Sequence, residues 1–135
     1  MRMIFVNLPI KNLARSVEFF TAIGMTFNAQ FTSEDSTCMV MEENIMAMLM
    51  EEPRFKTFIN GEISDTSKST EVLLCLSCDS REEVDDTLGK ALAAGGKPWK
   101  PTQDHGFMYG ASFQDLDGHV WELVWMDPAA VMPTQ

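Results

Sequence analysis

The pattern of apolar and polar positions predicts a strand followed by a helix at the start of the chain. Residues 3–8 form a short apolar run, and Asn12, after Pro9, is a good helix N-cap. Apolar residues then recur at helical spacing from Leu13, and Gly24 supplies a left-handed helix stop. Three extended segments separated by polar turns follow, so the first half has the order βαβββ. These segments span residues 26–32, 37–41 and 45–50.

The second half of the chain repeats this order of elements. An apolar strand over residues 72–78 leads into a capping box that begins at Ser80, and Gly95 ends the predicted helix. Three strands follow, and a hairpin turn joins the last two. The apolar helix positions and the final glycine recur 71 positions after those of the first helix, which indicates an internal duplication. The three strands span residues 97–102, 108–114 and 119–126.

The two repeats predict a single α+β domain over residues 1–135. Module one covers about residues 3–51, a connection with at most one short helix covers about 52–70, and module two covers about 71–127. A lone four-stranded module would expose one face of its sheet, so the modules must pack against each other or against a partner chain. We therefore expect a cupped, barrel-like mixed sheet with a cleft between the modules.

Composition and charge narrow the classes of partner. The chain has 135 residues, of which 45% are hydrophobic, and this suits one folded domain. Twenty acidic residues against ten basic ones give a formal charge of −10, which repels phosphate backbones and anionic lipids. No apolar run reaches the roughly 18 to 20 residues of a membrane span. We expect a cytoplasmic protein that binds neither nucleic acid nor membrane.

The three cysteines, Cys38, Cys75 and Cys78, form an odd set that fits a reducing compartment. Cys75 and Cys78 form a C-x-x-C sequence, but side chains three apart on a strand face opposite ways. We therefore interpret them as buried thiols rather than as a redox or zinc site.

Glu122 is the sharpest candidate for chemistry, because its neighbours in the last strand are nearly all apolar. An ionised carboxylate in such surroundings needs a cation, a metal ion or several hydrogen-bond donors. Strand alternation also allows the opposite arrangement, with Glu122 on a solvated face and Trp121 and Leu123 in the core. The residues alone do not separate these two interpretations.

His105 and Tyr109 lie in a glycine-flanked segment that leads into the same pair of strands. Imidazole titrates near neutral pH and a phenol hydrogen-bonds an anionic oxygen, so both could act with Glu122 on a substrate. The alternative is a surface histidine and a core tyrosine. We interpret His119, directly after the hairpin glycine, as a turn residue rather than a ligand.

Several other side chains are candidates for a ligand-binding surface. Asn7 shares one face of the first strand with Phe5, and Trp99 and Trp121 add aromatic area. Methionines crowd into two adjacent predicted strands, where they would form an adaptable lining or simply fill the core. These methionines are Met39, Met41, Met46, Met48 and Met50.

Two segments resemble the vicinal oxygen chelate (VOC) superfamily, which contains glyoxalases, bleomycin-resistance proteins and extradiol dioxygenases. Residues 7–20, NLPIKNLARSVEFF, resemble its first strand and helix. Residues 112–123, SFQDLDGHVWEL, resemble its final hairpin, in which Asp-Pro-Asp-Gly-His precedes a strand with a glutamate ligand, and here Leu116 replaces the proline. The resemblance covers about residues 3–126, and it implies the glyoxalase/bleomycin resistance/dioxygenase fold and a homodimer.

The resemblance also implies where a metal ion would bind. In metal-dependent members, His, Gln or Glu side chains from the first, fourth, fifth and eighth strands are the ligands. The corresponding places here are Phe5, a position near Met48, Leu73 and Glu122, so Glu122 is the one competent metal ligand. A tight divalent site needs three or four protein donors. We expect no full metal site. Binding of a Zn, Ni, Mn or Fe ion in another way stays an open alternative.

Three functions are compatible with these residues, and we rank them in order. The first is a metal-independent binder, similar to bleomycin-resistance proteins, that holds a small, partly apolar molecule in the cleft between the modules. The second is an enzyme of lyase, isomerase or dioxygenase type that uses Glu122 with His105 and Tyr109, with or without a divalent metal. The third is a non-catalytic dimerisation module. The ligand-binding residues expected for the binder are Asn7, Phe5, Met48, Leu73, Trp99 and Trp121.

Overall fold

The computed structural model describes residues 1–130, and the chain divides between Asp65 and Thr66 into two compact units. Helices and strands occur in both units, so the predicted α+β class is confirmed. No helix within these 130 residues is both long enough and apolar enough to cross a membrane.

The first unit contains a four-stranded mixed sheet in the order β1-β4-β3-β2. Strands β1 and β4 are parallel, and the other neighbours are antiparallel. The predicted order βαβββ is therefore correct for this unit. Its elements are β1 (Ile4–Ile10), α1 (Leu13–Ala22), β2 (Thr26–Asn28), β3 (Ser36–Glu42), β4 (Ile45–Glu51) and the single-turn helix α2 (Glu52–Phe55).

Helix α1 begins and ends where the sequence predicts. The side chain of Asn12 accepts a hydrogen bond from the backbone N–H of Arg15 at 2.9 Å, and Glu51 accepts one from the N–H of Leu13 at 2.9 Å. Gly24 has a φ of 101°, the left-handed conformation that ends a helix at low cost. The hydrogen bonds to Asn12 and Glu51 satisfy N–H groups of the first helical turn that would otherwise be unpaired.

The core of the first unit lies between α1 and one face of its sheet. Phe19 and Phe20 of α1 are buried and meet edge to face, with ring centroids 5.0 Å apart. Leu8, Ile10 and Leu49 are buried on the strands. Burial of each such side chain contributes about 1.5–3 kcal/mol relative to exposure, so this apolar layer is what holds the helix on the sheet.

The second unit contains a five-stranded mixed sheet in which β5, β9, β8 and β6 are neighbours and β7 also pairs with β8. Strands β5 and β9 are parallel, whereas β6, β7 and β9 run antiparallel to β8. The elements are β5 (Leu73–Ser77), α3 (Arg81–Ala93), β6 (Lys97–Pro98), β7 (Gln103–Asp104), β8 (Met108–Gln114) and β9 (Val120–Met126).

Two of the predicted strands are shorter or broken in the structure. The strand expected over 97–102 is replaced by the two short strands β6 and β7, because Pro98 and Pro101 lack the N–H that a continuous ladder needs. The strand expected over 26–32 ends at Asn28, whose side chain accepts from the N–H of Gln30 at 2.9 Å and begins one turn of 3₁₀ helix. Neither change alters the order of the long strands.

Candidate functional site

Three polar side chains form a row across the second sheet. Glu122 on β9 is directly opposite Cys75 on β5, and on its other side it is directly opposite Ser112 on β8. Residues paired in this way present their side chains on the same face of a sheet. The sequence therefore brings a thiol, a carboxylate and a hydroxyl together from three distant segments, and we call them the Cys75–Glu122–Ser112 row.

A cavity of about 300 Å³ lies over this row. Its volume is at the lower end of the range for small-molecule sites. Apolar atoms form the larger part of its wall, and several polar side chains are placed among them. The polar and sulfur-containing lining residues are Cys75, Lys100, Gln103, Met108, Ser112 and Glu122.

Glu122 is half-buried in this cavity. Within residues 1–130, its carboxylate receives no hydrogen bond and forms no ion pair. A carboxylate that has lost part of its water and has no protein donor gains free energy from any donor or cation that a ligand supplies. Of the two interpretations of Glu122, the structure therefore supports a side chain on a concave, partly solvated face, while Trp121 and Leu123 are buried.

Ser112 and Cys75 provide the groups beside Glu122. The Ser112 hydroxyl accepts a hydrogen bond from the backbone N–H of Lys100 at 3.0 Å, so its own hydrogen is still available to donate. Partial burial, together with the nearby Glu122 charge, raises the pKa of the Cys75 thiol. Both neighbours thus carry a proton at neutral pH, and both can donate to an anionic group.

The expectation that the cysteines are buried thiols is wrong for two of them. Cys38 is buried, but Cys75 is exposed and Cys78, just after β5, is half-buried. Partial burial, together with the nearby Glu83 and Asp79 charges, raises the pKa of Cys78 to about 11. Because β5 is an edge strand of its sheet, its side chains are covered less than those of a central strand.

Tyr109 is on the opposite face of the sheet from Glu122, so the predicted pairing of these two residues is wrong. Its hydroxyl donates to the Asp85 carboxylate of α3 at 2.6 Å, and this hydrogen bond raises the pKa of the phenol. The guanidinium of Arg81 lies over the Tyr109 ring, 5.0 Å from its centroid. Tyr109 therefore holds α3 against the sheet. Strand alternation explains the error, because Tyr109 is three residues from Ser112.

His105 lies in the exposed turn between β7 and β8, and within residues 1–130 no hydrogen bond joins it to Glu122. Its Nε2 atom hydrogen-bonds the side-chain oxygen of Gln103 at 3.1 Å, and Gln103 is one of the residues that line the cavity. The imidazole thus orients a lining amide. His105 is not itself one of the lining residues, so its predicted action with Glu122 on a substrate stays a prediction.

Trp121 and His119 belong to the core of the second unit, so Trp121 is not part of a ligand-binding wall. The Trp121 indole N–H donates to Asp115 Oδ2 at 3.0 Å, with Trp121 only 2% exposed. His119, which was interpreted as a turn residue, is 1% exposed, and its Nδ1 lies 2.7 Å from a Glu71 carboxylate oxygen. Burial raises the pKa of Asp115 despite the hydrogen bond that its carboxylate accepts from Trp121. The hairpin motif is therefore structural here.

The remaining candidates occupy positions of their own in each unit. Asn7 is directly opposite Met48 across β1 and β4, and Phe5, 49% exposed, shares their face of the first sheet. In the second unit, Leu73 is 52% exposed at the start of β5, on the same face as the Cys75–Glu122–Ser112 row. Trp99 is half-buried between β6 and β7. The contacts of these five residues with a ligand stay predictions.

Comparison with known proteins identifies the family. The model of the Glyoxalase/Bleomycin resistance protein/Dioxygenase superfamily matches residues 2–123. The chain belongs to this superfamily. The resemblance noted in the sequence is thereby confirmed, and the superfamily fold is shared by many solved structures. No curated protein matches the chain significantly.

Several solved structures resemble the chain over nearly its whole length. A hypothetical protein from S. aureus is 25% identical with a TM-score of 0.80, and the match covers 93% of this chain and 94% of that one. A family enzyme from Burkholderia phytofirmans PsJN is 17% identical with a TM-score of 0.77, covering 93% and 99%. The fosfomycin resistance protein FosX from Listeria monocytogenes is 20% identical with a TM-score of 0.66, covering 93% of both chains. The last two likenesses show the fold alone.

The residues at the superfamily's ligand positions do not fit a divalent metal ion. Phe5 and Leu73 have no donor atom, and the thioether of Met48 is a soft ligand that suits few divalent ions. Within the described part of the chain, no three His, Cys, Asp or Glu side chains are grouped so that they could hold a metal ion. Glu122 is the one member of the predicted set with hard donor atoms.

Proposed function

We propose that this superfamily member binds a small, partly apolar molecule in the cavity over the Cys75–Glu122–Ser112 row, without the usual full metal site. The observation that carries the proposal is a half-buried carboxylate without a protein partner inside a cavity of about 300 Å³. Apolar walls supply the driving force for binding, and a few polar groups fix the orientation of the ligand. Glu122 is the main polar anchor in this proposal.

A fragment screen with one matched pair of variants tests this function. Small amphipathic compounds are screened by ligand-observed NMR, and hits are mapped by amide shift changes on β8 and β9. Glu122→Gln keeps the size of the side chain but removes its charge, so the affinity of hits should fall by roughly tenfold or more. Glu18→Gln makes the same chemical change at an exposed position on α1 and should leave binding unchanged. The proposal fails if no compound shifts these amides or if Glu122→Gln binds the hits as tightly as the wild type.

A second candidate function is catalysis at the same row. Protonated thiol and hydroxyl groups flank an accessible carboxylate, which is an arrangement that can move a proton on a bound substrate. Under this alternative, NMR spectra of the hits would show one of them being converted by the wild type and left intact by Glu122→Gln. Binding with no conversion of any hit favours the first function.

We also propose that the protein is a cytoplasmic homodimer. The free thiols suit a reducing compartment. The edge strands β1 and β5 carry exposed apolar side chains, including Ile4 and Leu73, and such edges are commonly covered in an assembly. Sedimentation equilibrium measures the assembly directly, and a monomeric mass at micromolar concentration would exclude the dimer.

A further inference from the structure

Two opposite charges line the cavity, and the protein does not pair them with each other. Glu122, which carries a carboxylate, and Lys100, which carries an ammonium group, are both lining residues. Within residues 1–130, neither side chain forms an ion pair or a side-chain hydrogen bond. Both charges are therefore available to a bound molecule.

The backbone fixes the two charged residues close to each other. The N–H of Lys100 donates to Ser112 Oγ at 3.0 Å, and Ser112 is the cross-strand neighbour of Glu122. Side chains paired across strands have Cβ atoms about 4.5–5.5 Å apart. Glu122 and Lys100 thus lie on either side of Ser112, with the flexible lysine stem able to adjust to the length of a ligand.

The charge balance of the site disfavours a ligand with only one charge. An amine bound at Glu122 would place a second positive charge near Lys100, and a simple anion bound at Lys100 would lie near Glu122 in a protein of formal charge −10. A molecule that carries both charges would pair each of them. Met108 and Val124, which share the face of Glu122, offer apolar contacts to the part of the molecule between or beside the charged groups.

We propose that the ligand of this cavity is a small zwitterion of the amino-acid class, whose ammonium group binds Glu122, whose carboxylate binds Lys100, and whose body is apolar. This inference rests on the proposed binding function and specifies its ligand class. It also assigns to Lys100 a recognition role that complements that of Glu122.

Isothermal titration calorimetry at low ionic strength tests the ligand class with compounds of equal chain length. L-norleucine and 6-aminohexanoate carry both charges, hexylamine carries the positive charge alone, and hexanoate carries the negative charge alone. At least one zwitterion should bind ten times more tightly than either singly charged compound. The two zwitterions differ in the separation of their charges, so their ratio reports the spacing between the two anchors.

Variants that remove one charge show which group of the ligand each of the two charged residues binds. Glu122→Gln should weaken the zwitterion and hexylamine about tenfold and should tighten hexanoate, because it removes the like charge beside that anion. Lys100→Gln should weaken the zwitterion and hexanoate and should tighten hexylamine for the same reason. Lys97→Gln removes an exposed charge outside the cavity lining and should change no affinity by more than twofold. Circular dichroism melting of each variant verifies that it is folded.

The possible failures are distinguishable. If hexylamine or hexanoate binds as tightly as both zwitterions, or if Lys100→Gln has no effect, the zwitterion assignment is wrong. If no zwitterion binds while fragment hits still depend on Glu122, the assignment is wrong and the binding function stands. If neither zwitterions nor fragments bind, both proposals fail.

Discussion

Replacing Trp121 by phenylalanine would remove an indole N–H that is buried beside the Asp115 carboxylate. The two residues are 2% and 4% exposed, and the hydrogen bond between them is 3.0 Å long. A hydrogen bond to a charged group contributes about 1.5–3 kcal/mol. The smaller ring also gives up roughly 40 Å² of buried area, about 1 kcal/mol at ~25 cal/mol per Å². We therefore expect Trp121→Phe to lower the free energy of unfolding by about 2.5–4 kcal/mol.

The pH dependence of this loss provides a second check. Burial raises the folded-state pKa of Asp115 above the ordinary 3.8, and the Trp121 hydrogen bond counteracts that rise. Because this pKa is raised, protonated Asp115 stabilises the folded state. That contribution to the free energy of unfolding is complete below pH 3.8 and is lost as the pH rises through the folded-state pKa. Since Trp121→Phe raises that pKa further, its deficit should be larger at pH 7 than near pH 4.

Urea unfolding followed by far-ultraviolet circular dichroism measures both effects without relying on tryptophan fluorescence. Trp99→Phe is the matched control, because it makes the same change at a half-buried position outside this cluster, and it should cost less than about 1 kcal/mol. Equal losses in the two variants, or a Trp121→Phe deficit that does not change with pH, would refute the role given to the indole N–H.

Two further predictions concern charged groups and thiols. Hydrogen bonds from Arg81 hold the pKa of Asp104 down to about 2, so the stability they contribute is present above the ordinary value of 3.8 and is lost as the pH falls toward 2. Arg81→Met should return the Asp104 pKa toward 3.8 in an NMR titration, and a value still near 2 would contradict this cause. In peptide mass spectrometry after iodoacetamide treatment, Cys75 should react more than tenfold faster than buried Cys38, and Glu122→Gln should speed the Cys75 reaction by lowering its pKa. Equal rates at the two cysteines would contradict the exposure of Cys75.

Local signals in the sequence predict most of the fold. Asn12 and Gly24 mark the two ends of α1, and Ser80 begins α3 by accepting a hydrogen bond from the N–H of Glu83 at 3.0 Å. Strand β8 matches its predicted bounds. These features depend on contacts between residues a few positions apart, so the local amino-acid sequence is enough to predict them.

The site is harder to predict, because it depends on register between distant strands. Nothing in the local sequence says that Cys75 and Ser112 lie on either side of Glu122, and Lys100 has no signal beyond its charge. Tyr109 shows the same difficulty in the other direction, since it is near Glu122 in the sheet but on the other face. If the pairing of Ser112 with Glu122 were known, the alternation of side chains along β8 would place Tyr109 on the face opposite to Glu122.

The two faces of the second sheet separate the residues that line the cavity from the residues that form the core. Substitutions at positions 75, 100 and 112 alter the side that carries the cavity, while Trp121, Leu123 and Phe113 maintain the packed side. A laboratory library restricted to those three positions should therefore change selectivity with little loss of soluble yield. The same partition offers descendants of such a domain a route to new chemistry while their scaffold stays the same.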